Sequence, residues 1–237
     1  MTSIQRTLAR IDWPRVAENM HAKGYAQVPG VLTAANCRNL IADYDDPKLY
    51  RKTITMEQYR FGFGEYKYFT YPLPDILQTI REAVYPHLAP IANQWVQWLG
   101  LERRFPPTFI ELQSLCHRAG QDKPTVLILR YGEGGHNTLH QDLYGDIFFP
   151  MQLVLFLNEP EMDYTGGEFV LIQQTPRAQS KASVLRPRRG DILLFTTNFR
   201  PVKGARGFYR AGMRHGVSEV HSGQRHTLGI IFHDALT

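Results

Sequence analysis

Hydrophobic positions recur along this chain at two different periods, and the change falls near Pro124. Ahead of it the spacing is helical. Ile76, Ile80, Val84, Leu88, Ile91, Trp95 and Leu99 stand three or four residues apart, which puts them on one face of a helix beginning near Asp75. Pro86 and Pro90 interrupt that stretch and predict two helices or a kinked one, because proline has no amide hydrogen for the preceding turn. An earlier helix is predicted with Asp12 as its N-cap, Pro14 in its first turn and Gly24 at its end. YAQVPGVL then reads as a short strand leading to Thr33, the cap of a further helix through Cys37, Leu40, Ile41 and Tyr44.

Beyond Pro124 the apolar runs become short and rich in Val, Ile, Leu and Phe, separated by Gly, Pro, Asn and Asp. TVLILRY, MQLVLFL, GEFVLIQ, ASVL, DILLF and RHTLGIIFH predict the strands of an all-β sandwich. The expected fold class is α+β, with a mainly helical layer over residues 1–120 packed on a jelly roll over 121–237. Without internal repeat, low-complexity tract or linker, 1–237 is expected to be one integrated domain.

Composition supports a packed core. With 43% hydrophobic and 21% charged residues in 237, disorder as the main state is excluded. The longest apolar stretch, near Met151 to Leu157, is far too short for a bilayer, and MTSIQRTLARIDWPR has no apolar h-region, so a cytoplasmic protein without a membrane anchor is expected. Cys37 and Cys116 show no CxxC spacing and are expected to be buried small hydrophobes in a reducing compartment.

The chemistry begins at His140-Gln141-Asp142, where an imidazole and a carboxylate two residues apart share one face of an extended strand end. Alone the pair is weak, since a chain with nine histidines produces such spacings by chance. Downstream, His215 begins HGVSEVHSGQR, in which Val217 and Val220 frame a turn and Gly223 permits a close approach before Arg225. A third ligand from this segment, His215 or His221, completes two histidines and one carboxylate on one side of a metal. That facial set suits Fe(II) and leaves positions open for a cosubstrate and dioxygen.

RYGEGGHNTLHQD (130–142), GGEF (166–169), the RGDILLF strand and HGVSEVHSGQR together resemble the Fe(II)- and 2-oxoglutarate-dependent oxygenases over roughly residues 125–235. Within that superfamily RYxxGxxxxLHQD is most similar to the AlkB- and FTO-like nucleic-acid oxidative demethylases, while GYAQVPGVLT and GGEF also resemble prolyl-hydroxylase-type members. The resemblance implies a double-stranded β-helix core, the cofactor Fe(2+) with 2-oxoglutarate and O2 as cosubstrates, and His140, Asp142 and His215 as metal ligands. It assigns Arg225 to the C5 carboxylate of 2-oxoglutarate, Thr227 to the hydroxyl of an Arg-x-Ser pattern, and Tyr131 to a hydroxyl that meets the cosubstrate. A guanidinium suits the first role because it binds a carboxylate through two hydrogen bonds and keeps its charge when buried. His221 is then too close to Arg225 for one to reach the metal and the other the far end of the diacid. Two positions depart from the AlkB pattern: Leu129 replaces an asparagine and Ile231 replaces a second arginine.

Two features bear on substrate. Residues 50–71, YRKTITMEQYRFGFGEYKYFTY, carry eight aromatics interleaved with Arg51, Lys52, Arg60 and Lys67. Tyr59, Arg60, Phe61, Phe63, Tyr66 and Tyr68 are the candidates for stacking on a single-stranded or flipped base. The other reading is a β-hairpin whose rings fill the interface between helices and sheet. Charge is also uneven: the formal +5 divides into +9 between Arg177 and Arg214 and −4 elsewhere. In the resemblance that segment rims the mouth of the site, where positive charge fits a polyanion. The expected function is therefore oxidative demethylation of N-methylated bases in nucleic acid, with no obligate protein partner. A prolyl-hydroxylase-like or small-molecule hydroxylase and a non-catalytic metal-binding jelly roll are the alternatives.

Overall fold

The computed structural model describes residues 2–237. Its helices are α1 (Ser3–Ala9), α2 (Trp13–Lys23), α3 (Ala34–Ala42), α4 (Asp75–Trp98) and α5 (Phe109–Arg118). The strands are β1 (Tyr25–Val28), β2 (Tyr50–Thr55), β3 (Gly62–Phe63), β4 (Glu65–Phe69), β5 (Leu127–Tyr131), β6 (His136–His140), β7 (Met151–Phe156) and β8 (Tyr164–Gly166). They continue as β9 (Phe169–Gln174), β10 (Lys181–Leu185), β11 (Ile192–Thr196), β12 (Phe199–Gly204), β13 (Gly207–Val217), β14 (Val220–Gly223) and β15 (Arg225–Ile231).

The local signals act as expected at α2 and α3. The Asp12 carboxylate accepts from the Arg15 amide and Gly24 closes α2 at φ 79°, while Thr33 caps α3 by accepting from the Asn36 amide. Of the two outcomes expected at Pro86 and Pro90, separate helices are corrected: α4 is one helix of 24 residues. Both prolines are exposed and four residues apart, so the carbonyls they leave unpaired, on Glu82 and Pro86, open to solvent on the same side. Leu77, Ile80, Val84, Leu88, Ile91 and Trp95 are buried along the opposite side, and their burial outweighs a proline penalty of about 3 kcal/mol each.

The larger sheet has the order β1-β11-β7-β15-β5-β4-β2 and the smaller β10-β9-β13-β6-β3, with β12 also on β13; β14 pairs with β8. Every pairing between these strands is antiparallel. Residues 50–71 do form a hairpin, yet they extend the larger sheet through β4 on β5 instead of belonging to a helical layer. Together with β1, which pairs with β11, they make the first half of the chain a contributor to the sheet as well as its cover.

The period of two decides which residues meet the site. Ile128, Leu153, Leu155, Ile192, Leu194, Leu228 and Ile230 point to the helices and join one core with α1 to α5. Their neighbours Leu129, Tyr131, Val154, Phe195, Arg225 and Thr227 point the other way, into a cleft between the sheets. Register therefore fixes the chemistry, since a slip of one residue in β15 would turn Arg225 toward the helices. The chain's end is tied down by Asp234, fully buried and 2.6 Å from Arg81 Nη2 on α4. No helix among the described residues is long and apolar enough to cross a membrane.

Candidate active site

His140 ends β6 and lies directly opposite His215 on β13, so the two imidazoles share one face with ring centroids 4.1 Å apart. Asp142 follows as the chain leaves the sheet. Its Oδ1 is 3.6 Å from His140 Nε2 and its Oδ2 is 3.3 Å from His215 Nε2. All three donor atoms fall within 4.8 Å of one another. Ligand bonds of about 2.1 Å at right angles place donors about 3 Å apart, so the group is near the size that closes around one cation. His221, by contrast, is exposed on β14 and outside the group.

Neighbouring groups set the protonation states. Thr138 O is 2.7 Å from His140 Nδ1; a carbonyl only accepts, so Nδ1 carries a proton, and Nε2 is the nitrogen turned toward Asp142. Tyr144 Oη donates to Asp142 Oδ1 at 2.9 Å and Gln152 Nε2 to Oδ2 at 3.0 Å. Burial pushes the Asp142 carboxyl up, but the hydrogen bond and charge of His215, with His140 behind it, outweigh burial and hold it well below the usual carboxylate range. Burial, joined by His140, lowers His215. The low Asp142 carboxyl and the lowered His215 both favour the ligand forms that a divalent metal takes.

Arg225 begins β15 with 1% of its surface exposed. Its Nη1 reaches Thr227 Oγ1 at 3.4 Å, its Nε has no hydrogen-bond partner, and no carboxylate among the described residues pairs with it. The guanidinium sits among the rings of Tyr131, Phe156 and Tyr164, at 5.5, 5.6 and 5.9 Å from their centroids. Gly167 of the GGEF segment makes room for it, because a Cβ there would stand 2.9 Å from Arg225 Cδ. Tyr131 Oη accepts from Asn137 Nδ2 at 3.3 Å, which leaves its own proton uncommitted. Burial, against the pull of Arg225, pushes that phenol up to about 12. Arg225, Thr227 and Tyr131 line the same cleft as the His-Asp-His group, a cavity of about 250 Å³. A buried cation that no carboxylate pairs with, lining the same cleft as the donor group, fits a dianion such as 2-oxoglutarate, and the donor set fits Fe(II).

The candidate substrate residues divide. Phe61, Tyr66 and Tyr68 line the cleft, with Tyr68 Oη donating to Tyr144 at 3.1 Å. Tyr59 stacks on Phe61 at the exposed hairpin tip, centroids 5.4 Å apart, and Phe63 is exposed beside them on β3, which pairs with β6. Arg60, at φ 58° in the turn, stays outside the lining. Tyr50, Phe69 and Tyr71 instead pack toward the helices, where rings that fill the interface between helices and sheet are expected.

The expected basic rim is corrected. None of the ten cations between Arg177 and Arg214 lines the cleft. Arg186 pairs with Glu161 and Glu168, Arg188 with Glu159 and Arg189 with Asp163, acids that lie far from them in sequence and so did not enter a local count of charge. Tyr144, Gln152 and Asn137 were missed by motif reasoning. Gln152 had a visible signal, a lone amide in the apolar run Met151 to Leu157, where a buried polar group needs a partner.

A family model described as "Oxygenase, catalysing oxidative methylation of damaged DNA" matches residues 64–235. Two curated relatives from strains of Mycobacterium tuberculosis, both named as uncharacterized proteins, are 46% identical over 167 residues, 70% of this chain and 72% of theirs. Among solved structures, a prolyl-4-hydroxylase from Pseudomonas putida superposes with TM-score 0.57 at 15% identity, covering 94% of this chain and all of that one. An oxidoreductase of the 2OG-Fe(II) oxygenase family from Burkholderia pseudomallei gives TM-score 0.56 at 14% identity over 95% and 94% of the two chains. A prolyl hydroxylase from Trichoplax adhaerens, in complex with a hypoxia inducible factor peptide, gives 0.55 at 12% identity over 99% and 94%. These likenesses confirm the fold, and the matched span contains every residue of the donor group and the cleft arginine. The chain belongs to the Oxygenase-NA family and is built on the fold of the Fe(II)- and 2-oxoglutarate-dependent oxygenases.

Proposed function

We propose that this chain is an Fe(II)- and 2-oxoglutarate-dependent oxygenase that removes N-methyl groups from bases in DNA. The observation that carries the cosubstrate assignment is Arg225, a buried cation that no protein carboxylate meets. His140, Asp142 and His215 hold the metal; Arg225 and Thr227 anchor the far carboxylate of 2-oxoglutarate, and Tyr131 donates its uncommitted proton to the same ligand. When bound, iron and 2-oxoglutarate supply the oxidation of a nearby C–H bond by dioxygen, with release of succinate and carbon dioxide.

The protein's own contribution is position and dryness. Tyr144 and Gln152 orient both oxygens of Asp142, Thr138 fixes the tautomer of His140, and Phe169 and Phe195 pack against the His215 ring. Tyr66, Tyr68 and Phe61 wall the cleft, and Phe61 with Tyr59 offers a flat apolar face at its mouth. Such faces suit an unstacked base held with its methyl group toward the metal. Oxidation of an N-methyl carbon gives an N-hydroxymethyl group, which loses formaldehyde and leaves the free amine. The family's description favours DNA over the peptide substrates of the prolyl hydroxylases, whose likeness extends to the fold. Anaerobic addition of Fe(II) and 2-oxoglutarate should produce a visible charge-transfer band that His140→Ala abolishes; a protein without that band contradicts the assignment.

A further inference from the structure

A second cavity, of about 650 Å³, lies on the other side of the 141–150 segment from the cleft. Gln141 and Tyr144 line the first, Phe148 and Pro150 the second. The two are joined where β6 ends and β12 begins along the same edge of β13. There Gln141, between the two ligands of the HxD motif, donates from Nε2 to Asn198 O at 2.9 Å and to Met213 O at 2.7 Å. Asn198 lines the second cavity, and its Oδ1 is buried without a partner.

The lining is cationic and aromatic. Arg210 lies 4.6 Å over the ring of Phe199 and Arg103 4.6 Å over that of Phe148, and neither forms an ion pair. Arg103 also donates to Asp146 O at 3.1 Å, which ties it to the 141–150 segment. Glu102 is the one acid in the lining, and it pairs with neither arginine. The surrounding charge is positive. On the β12–β13 hairpin Lys203, Arg206 and Arg214 are exposed and unpaired, in contrast to Arg186, Arg188 and Arg189. The basic excess of the sequence thus comes to rest on this hairpin, next to the site and outside the cleft itself. Guanidiniums seated over aromatic rings and without ion-pair partners can offer N–H groups to phosphate, and an aromatic lining offers ring surface to a base.

We propose that this cavity and the β12–β13 hairpin hold the DNA strand flanking the reacting nucleotide, with a backbone phosphate between Arg103 and Arg210 and a neighbouring base against the aromatic floor. This rests on the DNA reading above and adds a separate subsite to it. The test is binding of a fluorescein-labelled single-stranded oligonucleotide carrying one N-methylated base, followed by anisotropy across a range of salt concentrations with the iron- and 2-oxoglutarate-loaded protein under nitrogen. Arg210→Glu and Arg103→Glu should each weaken binding about tenfold and lower the slope of log affinity against log salt by about one. Arg177→Glu makes the same change of net charge in the turn between β9 and β10, outside this lining, and should weaken binding less than about twofold, because screening confines exposed charges to about 8 Å. If both cavity variants match Arg177→Glu while wild type binds and demethylates the strand, this subsite is wrong and the DNA reading stands. If wild type binds no oligonucleotide, both are wrong.

Discussion

Arg225 and Thr227 face the same cleft from alternate positions of one central strand, and the 3.4 Å approach of Nη1 to Oγ1 is the guanidinium's only side-chain hydrogen bond to an acceptor on that strand. A buried arginine without a carboxylate is unfavourable in the free protein. Replacement by Arg225→Met should therefore raise the melting temperature of the ligand-free protein and abolish the further rise that 2-oxoglutarate gives to wild type. The 2-oxoglutarate requirement should increase about 100-fold, the scale of losing a buried charge-paired hydrogen bond, with iron affinity little changed. Equal loss of both would place Arg225 in the metal site instead.

Tyr144 and Gln152 each hold one oxygen of Asp142 without contacting the metal position themselves. Tyr144→Phe and Gln152→Leu should each reduce Fe(II) affinity about 10- to 100-fold, measured by competition with a chelator. Retention of full affinity in both would show that Asp142 is oriented by other means.

Two buried histidines make the fold sensitive to acid. Burial, with Arg130 beside the first and Arg81 near the second, pushes His226 and His233 down to about 4. The unfolded chain takes up these protons near pH 6.5 and the folded protein only near pH 4. Stability is thus full above pH 6.5 and falls as pH drops toward 4, by up to about 3 kcal/mol per histidine, and is level below that. Urea unfolding at pH 7.5 and 5 should show the loss, and His226→Gln should remove its share. Equal stability at both values would contradict it.

Phe61 supplies both a wall of the cleft and one half of the exposed ring pair with Tyr59. Phe61→Ala should raise KM for a methylated oligonucleotide about tenfold or more, the value of one base stacked on an aromatic ring. The visible Fe(II) and 2-oxoglutarate band should persist in this variant, since Phe61 forms no hydrogen bond through its ring to any of the three ligands. An unchanged KM would leave the hairpin tip without a role in substrate binding.

What could be read from the chain follows the reach of each signal. The HxD pair, the later histidine and Arg225 are legible because their spacing expresses the pleat of single strands, and the strand runs after Pro124 correspond to β5, β7, β9, β10, β11 and β15. β6 was invisible: HNTLH has no apolar alternation, and none of its five residues is buried in the core. The long β13 was hidden for a related reason: Ala211, Met213 and His215 are buried in alternation with Arg210, Gly212 and Arg214, and of the buried three only Met213 is large and apolar. Charge misled because ion pairs are long-range, so Arg188 looked free until Glu159 was folded beside it. Pro86 and Pro90 misled because their effect depends on which side of the helix faces water.

The most direct test of the central claim is formaldehyde release by the iron-loaded protein from a panel of N-methylated single- and double-stranded oligonucleotides, with succinate followed in parallel. The account predicts formaldehyde in step with succinate on at least one methylated DNA strand, and none from His140→Ala. Consumption of 2-oxoglutarate without formaldehyde from any member of the panel would contradict it.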